Sequence, residues 1–182
     1  MPISLIVLLV TTACIAHSPI QSAQTGTGKW IQIDGETNPE LIPDHVLWKH
    51  VFRYFAPGSR MPPDVAETLE TKELPMSAPD YKLLREYSDK HAVALSAFIE
   101  PITKLQVAFT RTTNRQTRQK LIEELRMTEL EQRHKTLELA DAMLGRLSED
   151  GRLKLLTWTN DFKSDISVTV LEKDLEFFQK PR

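Results

Sequence analysis

From Leu84 to Phe109 the apolar and aromatic residues of this chain fall at Leu84, Tyr87, His91, Ala94, Phe98, Ile102, Leu105 and Phe109. The steps are 3, 4, 3, 4, 4, 3 and 4. An α-helix turns once every 3.6 residues, so these side chains line one stripe, with the heptad-like spacing of helices that pack lengthwise. Ser77 opens the stretch with capping-box spacing to Asp80, which stands where Glu is usual. Pro101 lies inside the stripe. It removes one backbone donor and predicts a kink rather than an end, because the stripe continues in phase beyond it.

Thr110-Arg-Thr-Thr-Asn-Arg115 is polar and poor in helix formers, which predicts a turn. A second long helix is expected from about 116 to 147, with an apolar face of Ile122, Leu125, Leu130, Leu137, Ala140, Leu144 and Leu147. Two helices of about 30 residues joined by so short a connection pack as antiparallel neighbours.

Shorter elements flank this hairpin. A helix over 43–55 starts behind Pro43 and carries Leu47, Val51 and Phe55 four apart, flanked by Trp48 and Phe52. Pro57, Pro62, Pro63, Pro75 and Pro79 forbid a long helix between 56 and 79, leaving room for a short one over 63–73. Ser148, Glu149 and Asp150 read as the N-cap and first turn of a helix reaching Lys163. It buries either Leu155, Trp158 and Phe162 or Leu153 and Leu156. Ile166 to Val170 is β-branched and alternating, hence extended. The predicted fold is all-α: a long antiparallel hairpin packed with two or three shorter helices. A helical domain over 37–171 and a tail over 172–182 follow from these signals.

The amino terminus has a different character. Residues 1–28 contain no Asp, Glu, Lys or Arg, and the run from Ile3 to Ala16 is apolar. About 14 helical residues span roughly 21 Å, short of the ~30 Å hydrocarbon layer. The run therefore reads as the core of a secretory signal peptide over 1–23, cut after Ala16 or Ala23. A buried amino-terminal helix and a lipid anchor at Cys14 are the alternatives; Ala13 fits the anchor, whereas Thr11 stands where Leu or Val is usual. Ser, Gln, Thr and Gly then predominate, and 24–36 reads as a flexible tether. These signals place the protein outside the cytoplasm, periplasmic or extracellular, with no transmembrane helix in the mature chain.

Charge and composition exclude several activities. The 182 residues hold 23 Lys and Arg against 25 Asp and Glu, a net charge of −2, so bulk attraction to nucleic acid is not expected. One cysteine rules out a disulfide framework and a cysteine-rich zinc module. Gly26-Thr-Gly-Lys29 resembles the end of a phosphate loop but has Trp30 where Ser or Thr must hold magnesium. His45 and His50, five apart, face different sides of a helix. Glu131 and His134 have the Glu-x-x-His spacing of di-iron bundles, with Glu124 and Glu138 one heptad away, yet no second such pair exists. No catalytic residue, metal site or cofactor is assigned. His91, on the seam, reads as a packed histidine with one hydrogen-bond partner.

The clearest chemical signal lies at the predicted turn. Between Glu100 and Glu123 there are Lys104, Arg111, Arg115, Arg118 and Lys120 and no acid. Residues 34–80 hold nine acids and four bases. Guanidinium groups clustered at a tip hold carboxylate or phosphate through paired donors, so Arg111, Arg115, Arg118 and Lys120 are candidates for contact with an acidic protein partner or an anionic lipid surface. The competing expectations are that the tip is merely solvated or that the acidic segment folds against it.

The stretch Ile33-Asp-Gly-x-x-Asn-Pro-Glu-Leu-Ile-Pro-Asp44 resembles a segment that follows the signal peptide in a group of uncharacterised bacterial exported helical proteins. Leu147-Ser-x-x-Gly151 is similar to their carboxy-terminal segment. The resemblance covers about 12 and 10 positions and implies an exported, helical protein without implying an activity. A coarser analogy is to periplasmic helical-hairpin stress proteins of the LTxxQ type. Here Leu156-Thr157 is followed by Trp158, Thr159 and Asn160, so the signature Gln is missing. Three functions follow as expectations: a non-enzymatic exported interaction protein, a periplasmic chaperone-like or stress-sensing hairpin, and a metal-binding or enzymatic bundle using Glu131 and His134.

Overall fold

The computed structural model describes residues 30–56, 68 and 72–171. The expected signal peptide, most of the expected 63–73 helix and the 172–182 tail lie outside them. The elements in order are β1 (Trp30–Asp34), α1 (Asp44–Phe55), α2 (Ala78–Arg111), α3 (Arg115–Leu144), α4 (Glu149–Phe162) and β2 (Ser167–Leu171). Short 3-10 turns at Pro39–Leu41 and Lys163–Asp165 lead into α1 and out of α4. The fold is all-α, with a single two-stranded ribbon among the described residues.

α2 and α3 are the two arms of the hairpin. α2 is 34 residues long and continues past Pro101. Its stripe is buried or half-buried at every expected position from Leu84 to Phe109. Thr112, Thr113 and Asn114 make the turn, and the Asn114 side chain accepts the Thr117 N–H at 3.0 Å to cap α3.

The expected α3 face is covered at Leu125, Leu130, Leu137, Ala140, Leu144 and Leu147 and fails only at Ile122. Ile122 is 45% exposed. Leu121 is covered in its place, and the covered face also takes in Thr128, Gln132, Thr136 and Met143. Three of these are polar, so an apolar pattern passes over them, and Ile122 satisfies that pattern as well as its neighbour Leu121.

The core sits at the open end of the hairpin. α1 lays Leu47, Val51, Phe52 and Phe55 against Tyr81, Leu84 and Tyr87 of α2 and Ala140 and Met143 of α3. α4 closes this layer with Leu155, while Trp158 and Phe162 stack on each other at 4.8 Å and meet Tyr54 of α1. Leu153 and Leu156 face solvent, so the first of the two expected α4 faces is the buried one.

β1 falls within the stretch read as a tether. Trp30 pairs with Leu171 and Asp34 with Ser167 in antiparallel register, and Ile33 is buried in the core. Ile31 and Ile33 carry the period-two signal, but it is only five residues long and the partner strand lies more than 130 residues downstream.

Beyond the core the hairpin projects as a two-helix arm. Between residues 92 and 135, Phe109 alone is buried among the described residues. The 21 residues from His91 to Arg111 extend about 30 Å. The polar turn is therefore held away from the four-helix base.

Candidate functional site

The arm ends in the cationic residues singled out by the sequence. Arg111 closes α2, Arg115 opens α3, and Arg118 and Lys120 follow on its first turns. The first turn of α3 carries no acid, although a helix N-terminus favours one. Arg118 is set apart from the others. Its guanidinium lies 4.3 Å from the centre of the Phe109 ring and caps the one buried side chain of the arm. Arg111, Arg115 and Lys120 are exposed, and no ion pair involves them among the described residues. Lys104 is different again: it pairs with Glu100 at 2.6 Å. The structure thus brings together three solvated cations and one packed one.

α2 also meets a membrane criterion by length and composition. It contains an 18-residue window with a mean hydropathy of 1.3, of which only 6% is buried. The arm therefore presents a basic tip on an apolar, largely uncovered helix.

The candidate metal residues do not converge. Glu131 and His134 are exposed on α3, and no group of three or more His, Cys, Asp or Glu able to hold a metal ion occurs among the described residues. The phosphate-loop-like segment ending at Lys29 lies outside the described residues.

His91 is a packed residue of the hairpin. It is 3% exposed and its ring lies 4.8 Å from that of Phe52. Thr136 donates its hydroxyl hydrogen to the Gln132 carbonyl at 2.9 Å. That hydroxyl has no second hydrogen, so at 3.1 Å it accepts from His91 Nε2–H. Burial, helped by the charge of Lys49, lowers the His91 pKa to about 4. His45 on α1 is likewise lowered to about 4, by burial and then by Arg133 and Lys49. Both are neutral at pH 7 and act as structural groups there.

A cleft of about 320 Å³ lies between α1, α3 and α4, with Trp48 and Leu156 on its walls and Asp44, Asp141 and Lys163 at its edge. Its side chains include no nucleophile paired with a base.

Three buried hydroxyl residues carry no signal in the sequence; one, Ser88, donates to the Leu84 carbonyl at 2.9 Å. Thr136 and Thr159 are buried on seams where pattern analysis seeks apolar side chains. Their hydroxyls are satisfied by carbonyls one turn earlier, Gln132 for Thr136 and Leu156 for Thr159, so each behaves as a small, locally satisfied packing unit.

No protein family, curated protein or solved structure matches the chain at a significant level.

Proposed function

We propose that the chain is a non-enzymatic exported interaction protein that engages an anionic partner through the tip of its hairpin. The observation behind this reading is the trio Arg111, Arg115 and Lys120. They are exposed, lie within ten residues of one another, and have no acidic partner among the described residues. Cations held on a rigid arm of about 30 Å meet a surface before the base does. The opposing acidic segment offers them no partner among its described residues, which leaves the charge available. Guanidinium and ammonium groups in this arrangement suit phosphate or carboxylate oxygens.

Export is part of the same proposal, supported by the uncharged apolar leader and the small residues at Ala16 and Ala23. The intact mass of the product from its native cell distinguishes cleavage after either alanine from acylation of Cys14.

The decisive experiment replaces Arg111, Arg115 and Lys120 together with Ala and measures sedimentation with anionic vesicles and capture of acidic envelope proteins. The expected result is loss of binding, with wild-type binding weakening steeply between low and ~0.3 M salt. Unchanged binding by the triple variant rejects the proposal. Arg118 is left intact because its removal uncovers Phe109 and confuses binding with folding.

A second reading, a chaperone-like hairpin, draws on the exposed Val93, Ile99 and Val107 of α2 and Ile122 and Met127 of α3. Suppression of client aggregation by the purified protein is its measurement, and absence of suppression over a wide concentration range counts against it.

A further inference from the structure

α2 carries a second seam on the side opposite α3. Val93, Ala97, Glu100, Lys104, Val107 and Arg111 recur at steps of 4, 3, 4, 3 and 4, and all six are exposed. Val93 is 72% exposed, and the Glu100 and Lys104 side chains are each about three-quarters exposed. This spacing is a heptad stripe, the pattern by which one helix packs along another, and here no described element covers it.

The central charges of the stripe are self-complementary. The spacing is symmetric about position 102, and the two charges nearest that point, Glu100 and Lys104, are opposite in sign. A second α2 laid antiparallel with its two-fold axis at that point sets Glu100 opposite Lys104 and Lys104 opposite Glu100. The same register places Ala97 against Val107 and runs the Arg111 stem along Val93. Ser96 and Ala108, which are exposed beside the stripe, are likewise exchanged by the axis and are small enough for close approach. A parallel pair would instead stack Glu100 on Glu100 and Lys104 on Lys104. The charged outer side of α3 has no comparable stripe.

We infer that the uncovered face of α2 is a homodimer interface in which two copies pack antiparallel about position 102, with Glu100 and Lys104 exchanging partners across the axis. The Glu100–Lys104 pair seen within one chain is the resting arrangement of the same two side chains. The stripe is about 27 Å long and a helix is about 10 Å wide. That footprint is smaller than the ~800 Å² per partner of a standard complex, so the dimer dissociates on dilution. Its geometry directs the two basic tips to opposite ends. The interface is separate from the tip proposal except at Arg111, whose stem would line it.

Sedimentation equilibrium of the full chain from ~5 to ~500 μM tests the inference. The expected result is a concentration-dependent doubling of the 20.8 kDa monomer mass. Glu100→Lys and Lys104→Glu, each alone, place like charges across the axis and raise the dissociation constant at least tenfold. Mixing the two variants restores association as a heterodimer, and the double variant E100K/K104E associates like the wild type. Both sites are exposed, so circular dichroism of each variant stays native. A wild-type chain that remains monomeric throughout, or a dimer indifferent to single charge reversal, overturns the inference. So does failure of the mixture to associate. Monomeric chain whose Val93 and Val107 are instead buried in vesicles also overturns it, by assigning the face to lipid.

Discussion

The Asp80 carboxylate accepts the backbone N–H of Ser148 at 2.9 Å, so the first turn of α2 completes the amino-terminal cap of α4 from 68 residues away. In a capping box the residue three beyond the cap supplies that acceptor. For α4 this position is Gly151, which has no side chain. Ser148 caps the Gly151 N–H itself at 3.0 Å, and both Ser148 and Ser77 donate their hydroxyls to Asp80 Oδ2 at 2.7 Å. Burial works to raise the Asp80 pKa. The Ser148 hydroxyl and amide, the Ser77 hydroxyl and the Lys154 charge outweigh it and hold the carboxyl below its usual range.

This junction predicts a reversal of sign. Asp80→Ala should cost ~2–3 kcal/mol, because it strands the Ser148 amide and removes two charge-assisted bonds. Gly151→Ala inside a helix ordinarily gains ~0.5–1 kcal/mol. Here the new Cβ would lie 2.5 Å from Asp80 Oδ2, so the same change should destabilise the protein. In an Asp80→Ala background only the 3.0 Å approach to Ser148 Oγ remains, and Gly151→Ala should become close to neutral or stabilising. Urea denaturation of the two single variants and the double one measures this coupling, and additive effects would refute the junction. Since Asp80 has a lowered native pKa, its contribution is present above the unfolded value of 3.8 and is lost as pH falls through the native value.

A second prediction concerns acid stability at the hairpin seam. The unfolded chain protonates His91 near 6.5, whereas the native chain does so only near 4. Between these values the unfolded state binds the extra proton, so stability declines as pH falls from 6.5 to 4 and levels off below. At pH 5 the loss relative to pH 7 is on the order of 2 kcal/mol for this group. His91→Gln keeps a donor for Thr136 but does not titrate. It should flatten the decline between pH 7 and 5 while leaving the remainder, to which His45 contributes with the same sign. Chemical denaturation at both pH values checks it; an unchanged decline would show that His91 titrates alike in the native and unfolded chains.

What the sequence revealed depended on how local the signal was. α2 was legible from end to end because its stripe, its Ser77 cap and its polar turn all lie in one continuous stretch. α4 was legible at its start, since Ser148, Glu149 and Asp150 encode the cap locally. Most of the α3 face was legible too, but not Thr128, Gln132 and Thr136, whose fitness there depends on contacts such as His91 across the hairpin. Asp80 was recognisable as the acid of a capping box, but not as the acid of a different helix. At the tip, the excess of cations was plain in the sequence. The division between packed Arg118 and solvated Arg111, Arg115 and Lys120 required knowing where Phe109 lies.

The third prediction tests the ribbon that composition concealed. Gly35 follows β1, and its N–H donates to the Ile166 carbonyl at 2.9 Å, just before β2 begins. A Cβ at this position would overlap the Lys163 carbonyl oxygen and lie 2.8 Å from that of Ile166. Both obstacles are backbone atoms of the turn that joins α4 to β2, so neither can rotate away. Gly35→Ala must therefore push β1 off the turn, withdrawing Ile33 and Ile166 from the core they share. Overpacking of this kind costs ~1–3 kcal/mol, or a fall of roughly 3–10 °C in Tm for a chain of this size. Hydrogen exchange should quicken at the paired amides of residues 31–34 and 167–170 while the α2 seam stays protected. A melting curve matching the wild type would mean that β1 does not dock closely on that turn.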